Sequence, residues 1–469
     1  LAIPATLEGK GVTAIGNSAF RDCTNLGHIA IPDGVTSFGT GAFRGCSTLA
    51  SVTIPNSVDT IGNNAFRACT SLAGIHIPTS LTIIRNTTFH GCSSLSLVTI
   101  PEGVISIGNE AFRACTSLAG INLPTSLTSI GNYAFRDAPS LAGISIPDTV
   151  TSLGTGAFYD CSSLDDITIP EGVTSIRNTT FQGCSSLDDI TIHDGVTSIG
   201  DNAFRGCSVL AGIAIPYSVT SIGVGAFREC SELLSITIPA GVTRIENRTF
   251  QSCTGLNGIA IPDGLTHIGD YAFETCTSLV GITIPDGVSS LGTHAFEACS
   301  SLAGISIPEG VISMGNEAFR GCTSLAGVSI PTSLTSIGSR AFRNCSSMGH
   351  VAFQGTLPSF GSEVFTGADQ SFITYPGSLG SVEGRPAFDS GHIPALTLSP
   401  RAGGAARISF LAGAGHRYRV YTLATLDTPF ANWIQVGPEI TGSGAAVQVD
   451  YTPAAGEAGL FLRARVEFQ

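Results

Sequence analysis

The sequence predicts a repeat solenoid of 23-residue units followed by a small all-β sandwich, and three observations support this prediction. Phe recurs sixteen times at an unbroken spacing of 23 residues, from Phe20 to Phe365. All 14 Cys occupy one position of the unit, three residues after a Phe. The period ends near residue 393, and residues 394–469 differ in composition. Because one unit cannot bury its apolar face alone, stacked neighbours must supply the core.

Each unit is expected to contain two extended pieces and a turn. Residues 49–54 end in alternating apolar and small polar side chains, which predicts a half-buried strand. Pro55 ends this strand because it has no N–H to donate. Residues 58–61 form a second extended piece, and the stretch around Ala65 and Phe66 is expected to form a short helical turn that places the ring in the core. The array is therefore predicted to combine parallel β-strands with short helical turns.

The Cys row is predicted to be an interior row of free thiols. Equivalent side chains in stacked strands lie roughly 5 Å apart, which is longer than the Cβ separation that a disulfide prefers. The row has no C-x-x-C pair, and a straight row cannot converge on one zinc ion. Ala138 takes the place of Cys in one unit, as expected where the side chain is a small buried group. We therefore expect the thiols to pack as small hydrophobes.

The chain divides by composition into two predicted domains. Residues 1–393 form the solenoid, with 16 units and a C-terminal cap and linker, and residues 394–469 form the β-sandwich. Since Leu1 to Pro4 resemble the end of a strand, we expect the chain to be a fragment or a processed form. The strands expected in the second domain are Ala406–Phe410, Arg417–Tyr421, Trp433–Val436, Ala446–Asp450 and Leu460–Arg465.

Composition and motifs exclude several classes of function. A net charge of −13 argues against a nucleic-acid partner, which requires a basic surface to neutralise phosphates. No apolar run approaches the roughly 18 residues that a membrane-spanning helix needs. The sequence contains no zinc-protease, nucleophile-elbow, phosphate-binding or EF-hand motif, and its 9 His are scattered. We therefore expect a protein that is not an enzyme and has no cofactor and no metal site.

The repeat itself resembles a known family. The unit I-x-I-P-x-x-V-T-S-I-G-x-x-A-F-x-x-C, represented by residues 100–115, resembles the BspA-like, treponemal-type leucine-rich repeat. The opening segment 7–16 is similar to the start of such arrays, and the tail resembles C-terminal modules of secreted bacterial proteins. This resemblance implies a leucine-rich-repeat fold and an extracellular or cell-surface protein used for adhesion and protein–protein contact.

A group of four carboxylates is the candidate binding site on the solenoid. Asp165 and Asp166 stand at the same repeat positions as Asp188 and Asp189 in the next unit, where most units have Ala, Ser or Gly. Stacked carboxylates repel one another, so a cation or a basic partner would stabilise them. Thr168 and Thr191 follow on the same strands and are included in the predicted site. The alternative is an exposed acidic patch that aids solubility.

Two other rows of side chains allow functional hypotheses. Arg follows the repeat Phe in nine units, and acidic residues follow Pro in seven, so these rows could match the array to another copy of the chain. A row of Thr near the second strand could order water as ice-binding solenoids do, although Thr is also a common strand residue. The Arg row consists of Arg21, Arg44, Arg67, Arg113, Arg136, Arg205, Arg228, Arg320 and Arg343. The Thr row consists of Thr36, Thr82, Thr128, Thr151, Thr174, Thr197, Thr220, Thr243 and Thr266.

Three units depart together from the consensus I-G-x-x-A-F. Each creates an N-x-T triplet, at Asn86, Asn178 and Asn247. Such triplets are glycosylation acceptors in secreted eukaryotic proteins. The bacterial character of the tail favours a local change of packing around a larger side chain instead.

These observations predict a non-catalytic scaffold for protein–protein interaction or adhesion at the cell surface. Its partner would be a protein or a surface polymer. The alternative is a self-assembling structural protein that forms a filament or a surface sheath, with other copies of the chain as partners. No nucleic-acid partner and no membrane-spanning segment are expected.

Overall fold

The computed structural model describes residues 1–368 and, beyond them, a set of strands between residues 372 and 467 for which only the backbone is considered. The chain forms two compact bodies, Leu1–Leu302 and Ala303–Gln469, and each is described by itself. In the described residues every regular element is a β-strand. The 23-residue period appears as one coil of a β-solenoid, and each coil contributes up to two strands.

The first row of strands, called the long strands, is formed by the apolar–polar alternation that ends at Pro. In most of them the middle residue is buried and its two neighbours are exposed, as at Val52 between Ser51 and Thr53. Adjacent coils pair these strands in parallel and in register. In the first body the long strands are His28–Ala30, Ser51–Thr53, Leu97–Thr99, Gly120–Asn122, Asp166–Thr168, Asp189–Thr191, Ser235–Thr237, Gly258–Ala260 and Gly281–Thr283.

The second row, called the short strands, is formed mostly by the Ser-Ile pair before Gly, with Ile buried. In the first body these strands lie in four parallel sheets, to which three, four, three and three of its coils contribute. The first two sheets contain Ala14–Ile15, Ser37–Phe38 and Thr60–Ile61, then Ile83–Ile84, Ser106–Ile107, Ser129–Ile130 and Ser152–Leu153. The other two contain Ser175–Ile176, Ser198–Ile199 and Ser221–Ile222, then Arg244–Ile245, His267–Ile268 and Ser290–Leu291.

Each new short-strand sheet begins where the consensus Gly is replaced by a larger residue. A Cβ added at Gly131 would lie 2.6 Å from backbone atoms of the preceding coil, and one at Gly200 would meet the preceding coil at 2.4 Å. Arg85, Arg177 and Glu246 carry a Cβ at this position, and each directly follows the first strand of a new sheet. The side chain at this position therefore keeps the coil from pairing with its predecessor.

The same three coils contain a buried Thr where other coils have Ala. Thr88, Thr180 and Thr249 are almost completely buried. Each hydroxyl donates a 2.8 Å hydrogen bond to the carbonyl three residues earlier. These contacts agree with the expected local change of packing, because the third residue of each N-x-T triplet is used inside the coil.

The prediction of short helical turns is wrong. The segments that contain the repeat Phe are non-helical turns. Asn64 and Ala68, two residues on either side of Phe66, have φ of 58° and 59°, and equivalent positions are left-handed throughout the array. As a result, every second backbone amide forms its hydrogen bond with the next coil. The N–H groups of Asn64, Phe66 and Ala68 donate to carbonyls of that coil. The amides between them close i to i−3 turns, as from Cys69 to Phe66 at 3.2 Å. Because these amides donate to the next coil, they cannot form the hydrogen bonds within the segment that a helix would need.

The interior is built from the Phe row and the Cys row, as predicted. Phe43 through Phe365 are fully buried at every repeat, whereas Phe20 is half-buried. Successive rings in the first body lie nearly parallel, with centroids 5.3 Å apart between Phe43 and Phe66. The row places one large apolar side chain per coil against its neighbours and supplies a continuous core.

All 14 Cys are free thiols, and every one except Cys23 is buried. The prediction of buried free thiols is confirmed at thirteen positions. The thiols do more than pack as small hydrophobes, because they also form hydrogen bonds. The Sγ atoms donate to the Phe carbonyl 26 residues earlier, at distances from 2.9 Å for Cys46 to 3.3 Å for Cys207. Burial raises the pKa of Cys46 to about 11 and that of Cys115 to about 12. The row therefore joins adjacent coils while remaining protonated.

The second body contains three further coils and a set of antiparallel strands. Its coil strands are Gly304–Ser306, Ser313–Met314, Gly327–Ile330, Ser336–Ile337, His350–Phe353 and Ser359–Phe360. The parallel ladder continues through Phe372–Tyr375 to Arg385–Asp389, to which Ser381–Val382 pairs antiparallel. The strand Phe372–Tyr375 thus follows His350–Phe353 in the same ladder.

The five strands expected in the C-terminal segment are present with small shifts, and one more precedes them. They form two antiparallel three-stranded sheets. The first contains Thr397–Pro400, Ala406–Leu411 and Ala446–Tyr451, and the second contains Arg417–Leu423, Ile434–Thr441 and Phe461–Glu467. The side chains that would pack these sheets into a β-sandwich lie outside the described residues. The sandwich and the domain boundary at residue 393 stay predictions.

Candidate functional site

The four carboxylates of the predicted site come together on two adjacent long strands. Asp166 and Asp189 are direct partners in the parallel register, and so are Thr168 and Thr191. All four of these residues are exposed, because the strand alternation buries only the Ile between each Asp and Thr. These four side chains therefore lie on the same exposed face, as their repeat positions predict, and their role in binding stays a prediction.

The remaining pair extends the same surface by one residue. Asp165 and Asp188 directly precede the two strands and are also exposed. The amide of Asp188 donates to the carbonyl of Asp165 at 3.0 Å, and the Asp165 Oδ1 accepts the amide of Asp166 at 2.9 Å. The second contact fixes one carboxylate close to the strand. We call Asp165, Asp166, Asp188 and Asp189 the acidic quartet.

The acidic quartet is open on both sides and carries uncompensated charge. The equivalent positions in the flanking coils are Gly143 and Gly212, where an added Cβ would meet no atom within 4 Å. None of the four carboxylates forms an ion pair within the described residues. Because nothing in these coils covers or neutralises it, the quartet can contact a cationic group from solvent.

The Arg row, by contrast, is largely engaged within the chain. Arg113 pairs with Glu110 at 3.0 Å, and Arg205 pairs with Glu229 at 3.2 Å. The Arg136 guanidinium lies 4.6 Å from the centroid of the Tyr159 ring. These contacts favour an internally compensated edge over a charged row that matches a second copy.

The Thr row serves to stack the coils. The Thr36 and Thr197 hydroxyls donate to the carbonyls of the equivalent residues one coil earlier, at 3.3 and 3.1 Å. The Thr128 hydroxyl does the same toward Ile105 at 2.9 Å. Six of the nine Thr hydroxyls in the row therefore have a role in joining adjacent coils.

A second surface feature, which sequence reasoning missed, lies over the short strands. An open groove of about 480 Å³ runs across the four-coil sheet from Arg85 to Arg177. Its floor contains Ser106, Ser129 and Ser152, with glycines beside them. The available signal was the replacement of Gly by Arg in the N-x-T units, but those units were interpreted only as a change of packing.

The Asn residues beside this groove hold adjacent coils together. The Oδ1 atom of Asn86 accepts the amide of Asn109 at 2.9 Å, and the Oδ1 of Asn109 accepts the amide of Asn132 at 2.8 Å. Asn132 continues the ladder to the amide of Thr155 at 2.9 Å. The groove wall is therefore fixed by hydrogen bonds between Asn side chains and the backbone amides of the next coil.

The chain belongs to the family of BspA type leucine rich repeat region proteins. The family model matches residues 13–142, 82–211, 128–257 and 243–372, which together cover more than half of the chain. This establishes a leucine-rich-repeat β-solenoid, and the family suggests a protein-interaction scaffold. Neither the match nor the fold names a ligand.

The chain is also similar to solved structures. A leucine-rich repeat protein from Bacteroides ovatus ATCC 8483 is 30% identical, with 71% of this chain and 87% of that chain covered and a TM-score of 0.57. A leucine rich cell surface protein from Faecalibacterium prausnitzii A2-165 is also 30% identical, with 76% and 87% covered and a TM-score of 0.40. No curated protein sequence matches the chain.

Within the part of the chain that the structure describes, no helix combines the length and the apolar character needed to cross a bilayer.

Proposed function

We propose that this protein is a non-catalytic scaffold for protein–protein interaction or adhesion, displayed outside the cell or on its surface, and that the acidic quartet is its contact site for a basic segment of a partner protein. The observation that carries the proposal is four exposed carboxylates in two adjacent coils without an ion pair in the described residues. Membership of the repeat family supports the scaffold role.

The surrounding surface supports the choice of the quartet. The equivalent positions in the flanking coils carry Ala and Gly, as at Ala142 and Gly143 or Ala211 and Gly212, and such residues offer little chemistry for selecting a partner. A cationic partner would relieve repulsion between Asp166 and Asp189, which are direct neighbours in the register. Thr168 and Thr191 add hydroxyl groups on the same face and would contact the partner backbone or its polar side chains.

The test compares the protein with the variant in which all four Asp are changed to Asn. The probe is an immobilised lysine-rich peptide, and the measurement is its equilibrium binding at several salt concentrations. We expect binding to weaken with salt in the native protein, since exposed charges are screened over roughly 8–10 Å. The variant should bind at least tenfold more weakly and with a smaller salt dependence.

A matched control removes the same charge elsewhere. Asp33, Asp148, Asp263 and Asp286 are exposed residues that follow Pro in their units, and changing all four to Asn leaves the quartet intact. This control should bind like the native protein. Equal loss in both variants would show that only net charge matters, and unchanged binding in the quartet variant would refute the site.

The alternative, self-assembly into a filament or sheath, is separated from the scaffold role by size. Light scattering after size-exclusion chromatography, repeated over a wide dilution range, is expected to give one monomeric mass. The contacts of the Arg row within the chain favour this result, since seven of its nine charges are already paired. Large species that grow with concentration would support assembly instead.

A further inference from the structure

We propose that the groove between Arg85 and Arg177 binds an extended segment of an acidic polysaccharide, with the two guanidinium groups holding anionic groups at its ends and the serine floor holding sugar hydroxyls. This site is separate from the acidic quartet and has the opposite charge.

Glycine lets the coils beneath the groove stack closely. Gly108, Gly131 and Gly154 line it, and a Cβ at any of them would lie within 2.7 Å of the preceding coil. Arg85 and Arg177 stand at the same repeat position, four coils apart, so each rises at one end of a glycine-floored stretch. At roughly 4.8 Å per coil the two α-carbons are separated by about 19 Å, which suits a ligand of several sugar units.

Both arginines are free to bind an anion. They are exposed, and neither forms an ion pair within residues 1–368. They are also the only charged side chains among the residues that line the groove. On a chain with a net charge of −13, a groove that holds two positive charges and no negative charge is an exception.

A neighbouring groove provides an internal comparison. It has a volume of about 620 Å³, crosses the next sheet, and is lined by Arg177 together with Asp201 and Glu246. Its floor is also partly occupied, because the Ser198 hydroxyl donates to the Ser175 hydroxyl at 2.9 Å. The same repeat architecture thus gives one groove with a positive lining and one with a negative lining, and only the first suits an anionic ligand.

The floor favours a saccharide over a peptide. Ser106, Ser129 and Ser152 are half-buried and make no side-chain hydrogen bond in the described part of the chain, so each can donate and accept. A peptide would gain most from pairing with a strand edge, but these strands are already paired with one another across the sheet. No aromatic ring lines the groove, which leaves hydroxyl contacts and the two charges to select the ligand.

The test uses titration calorimetry with a size-defined oligogalacturonide as the probe. The native protein should bind one oligosaccharide per chain and should not bind an uncharged malto-oligosaccharide of the same length. Arg85→Gln and Arg177→Gln should each raise Kd about tenfold, as expected for loss of one charge-assisted contact. The control Arg44→Gln/Arg67→Gln removes two charges from the turn side of the coils and should leave Kd unchanged.

A gain-of-function variant tests the same idea from the other direction. Asp201→Asn/Glu246→Arg makes the lining of the second groove positive with residues found at the same repeat positions elsewhere. Because Arg177 lines both grooves, this double variant is combined with Arg85→Gln, and the combined variant should regain the native Kd at one oligosaccharide per chain. A Kd that stays at the Arg85→Gln value would contradict the role of the flanking charges.

Three further results would overturn the proposal. One is an absence of binding by the native protein, and another is an unchanged Kd in both Arg→Gln variants. The third is equal binding of an oligoglutamate peptide, which would show that the groove does not select a saccharide. The quartet variant should keep native oligogalacturonide affinity, so failure of this proposal is distinguishable from failure of the proposed protein contact.

Discussion

At the scale of single residues, the Phe and Cys rows carry different shares of stability. Phe181 is fully buried and stacks between Phe158 and Phe204, with centroids 5.6 and 5.5 Å away. Cys184 is equally buried but small, and its Sγ lies 3.2 Å from the Phe158 carbonyl oxygen. The ring is among the largest fully buried side chains of the chain's described part, and the thiol adds one weak contact between coils.

Phe181→Ala and Cys184→Ala should therefore differ clearly in denaturant unfolding. We expect the first to lower the free energy of unfolding by about 3–5 kcal/mol, since it leaves a large cavity. The second should lower it by about 1 kcal/mol, because it removes a small buried group. An unchanged unfolding curve for Phe181→Ala would contradict the interior position of the Phe row.

The Cys row also predicts sensitivity to alkaline pH. Burial raises the pKa of Cys253 and Cys299 to about 12, whereas the unfolded chain ionises its thiols near 9.0. Between these values the unfolded state binds fewer protons than the folded state, so stability falls as pH rises. The slope should be roughly 1.4 kcal/mol per pH unit for each such thiol.

Thermal unfolding measured from pH 8 to pH 11 checks this expectation. Stability should be nearly constant below pH 9, apart from other titrating groups, and should fall steeply above it. The triple variant Cys184→Ala/Cys207→Ala/Cys230→Ala should have a shallower slope than the native protein. Parallel curves for the two proteins would show that the thiols do not cause the loss.

At the scale of elements, the glycine before each turn decides whether neighbouring short strands pair. Sequence reasoning identified the repeat position and the exceptional units, but it did not predict that those units start new sheets. That outcome depends on how close one coil lies to the next, which is visible only in the backbone distances at Gly131 or Gly200. The helical turns were mispredicted for a related reason, because stacking hydrogen bonds between coils compete with local ones.

Two glycines provide a matched test of this role. Gly131→Ala places a Cβ 2.6 Å from the preceding backbone, whereas Gly143→Ala meets nothing within 4 Å. The first should lower the free energy of unfolding by about 1–3 kcal/mol through forced backbone shifts. The second should change it by no more than about 0.5 kcal/mol, as for other exposed substitutions. Similar values for the two variants would contradict the close approach at Gly131.

At the scale of the whole molecule, the period alone was enough to predict the solenoid, its parallel strands and its interior rows. The acidic quartet was also predictable, because a one-coil shift by 23 residues brings Asp166 and Asp189 into register. The groove was not predictable, because it depends on how closely the coils stack at Gly108 and Gly131 and on the absence of an ion pair at Arg85 and Arg177 within residues 1–368. The repeat makes the fold predictable from the sequence, whereas recognition of a ligand depends on the few positions that depart from the repeat.

The central claim is that stacked coils enclose the Phe and Cys rows and leave the outer faces for contact. The most direct measurement is the number of thiols that react rapidly with a cysteine reagent in the native protein. Only Cys23 is exposed among the 14 Cys, so one thiol per chain should react before denaturation and all 14 after it. Rapid labelling of most thiols in the native state would contradict the stacked interior.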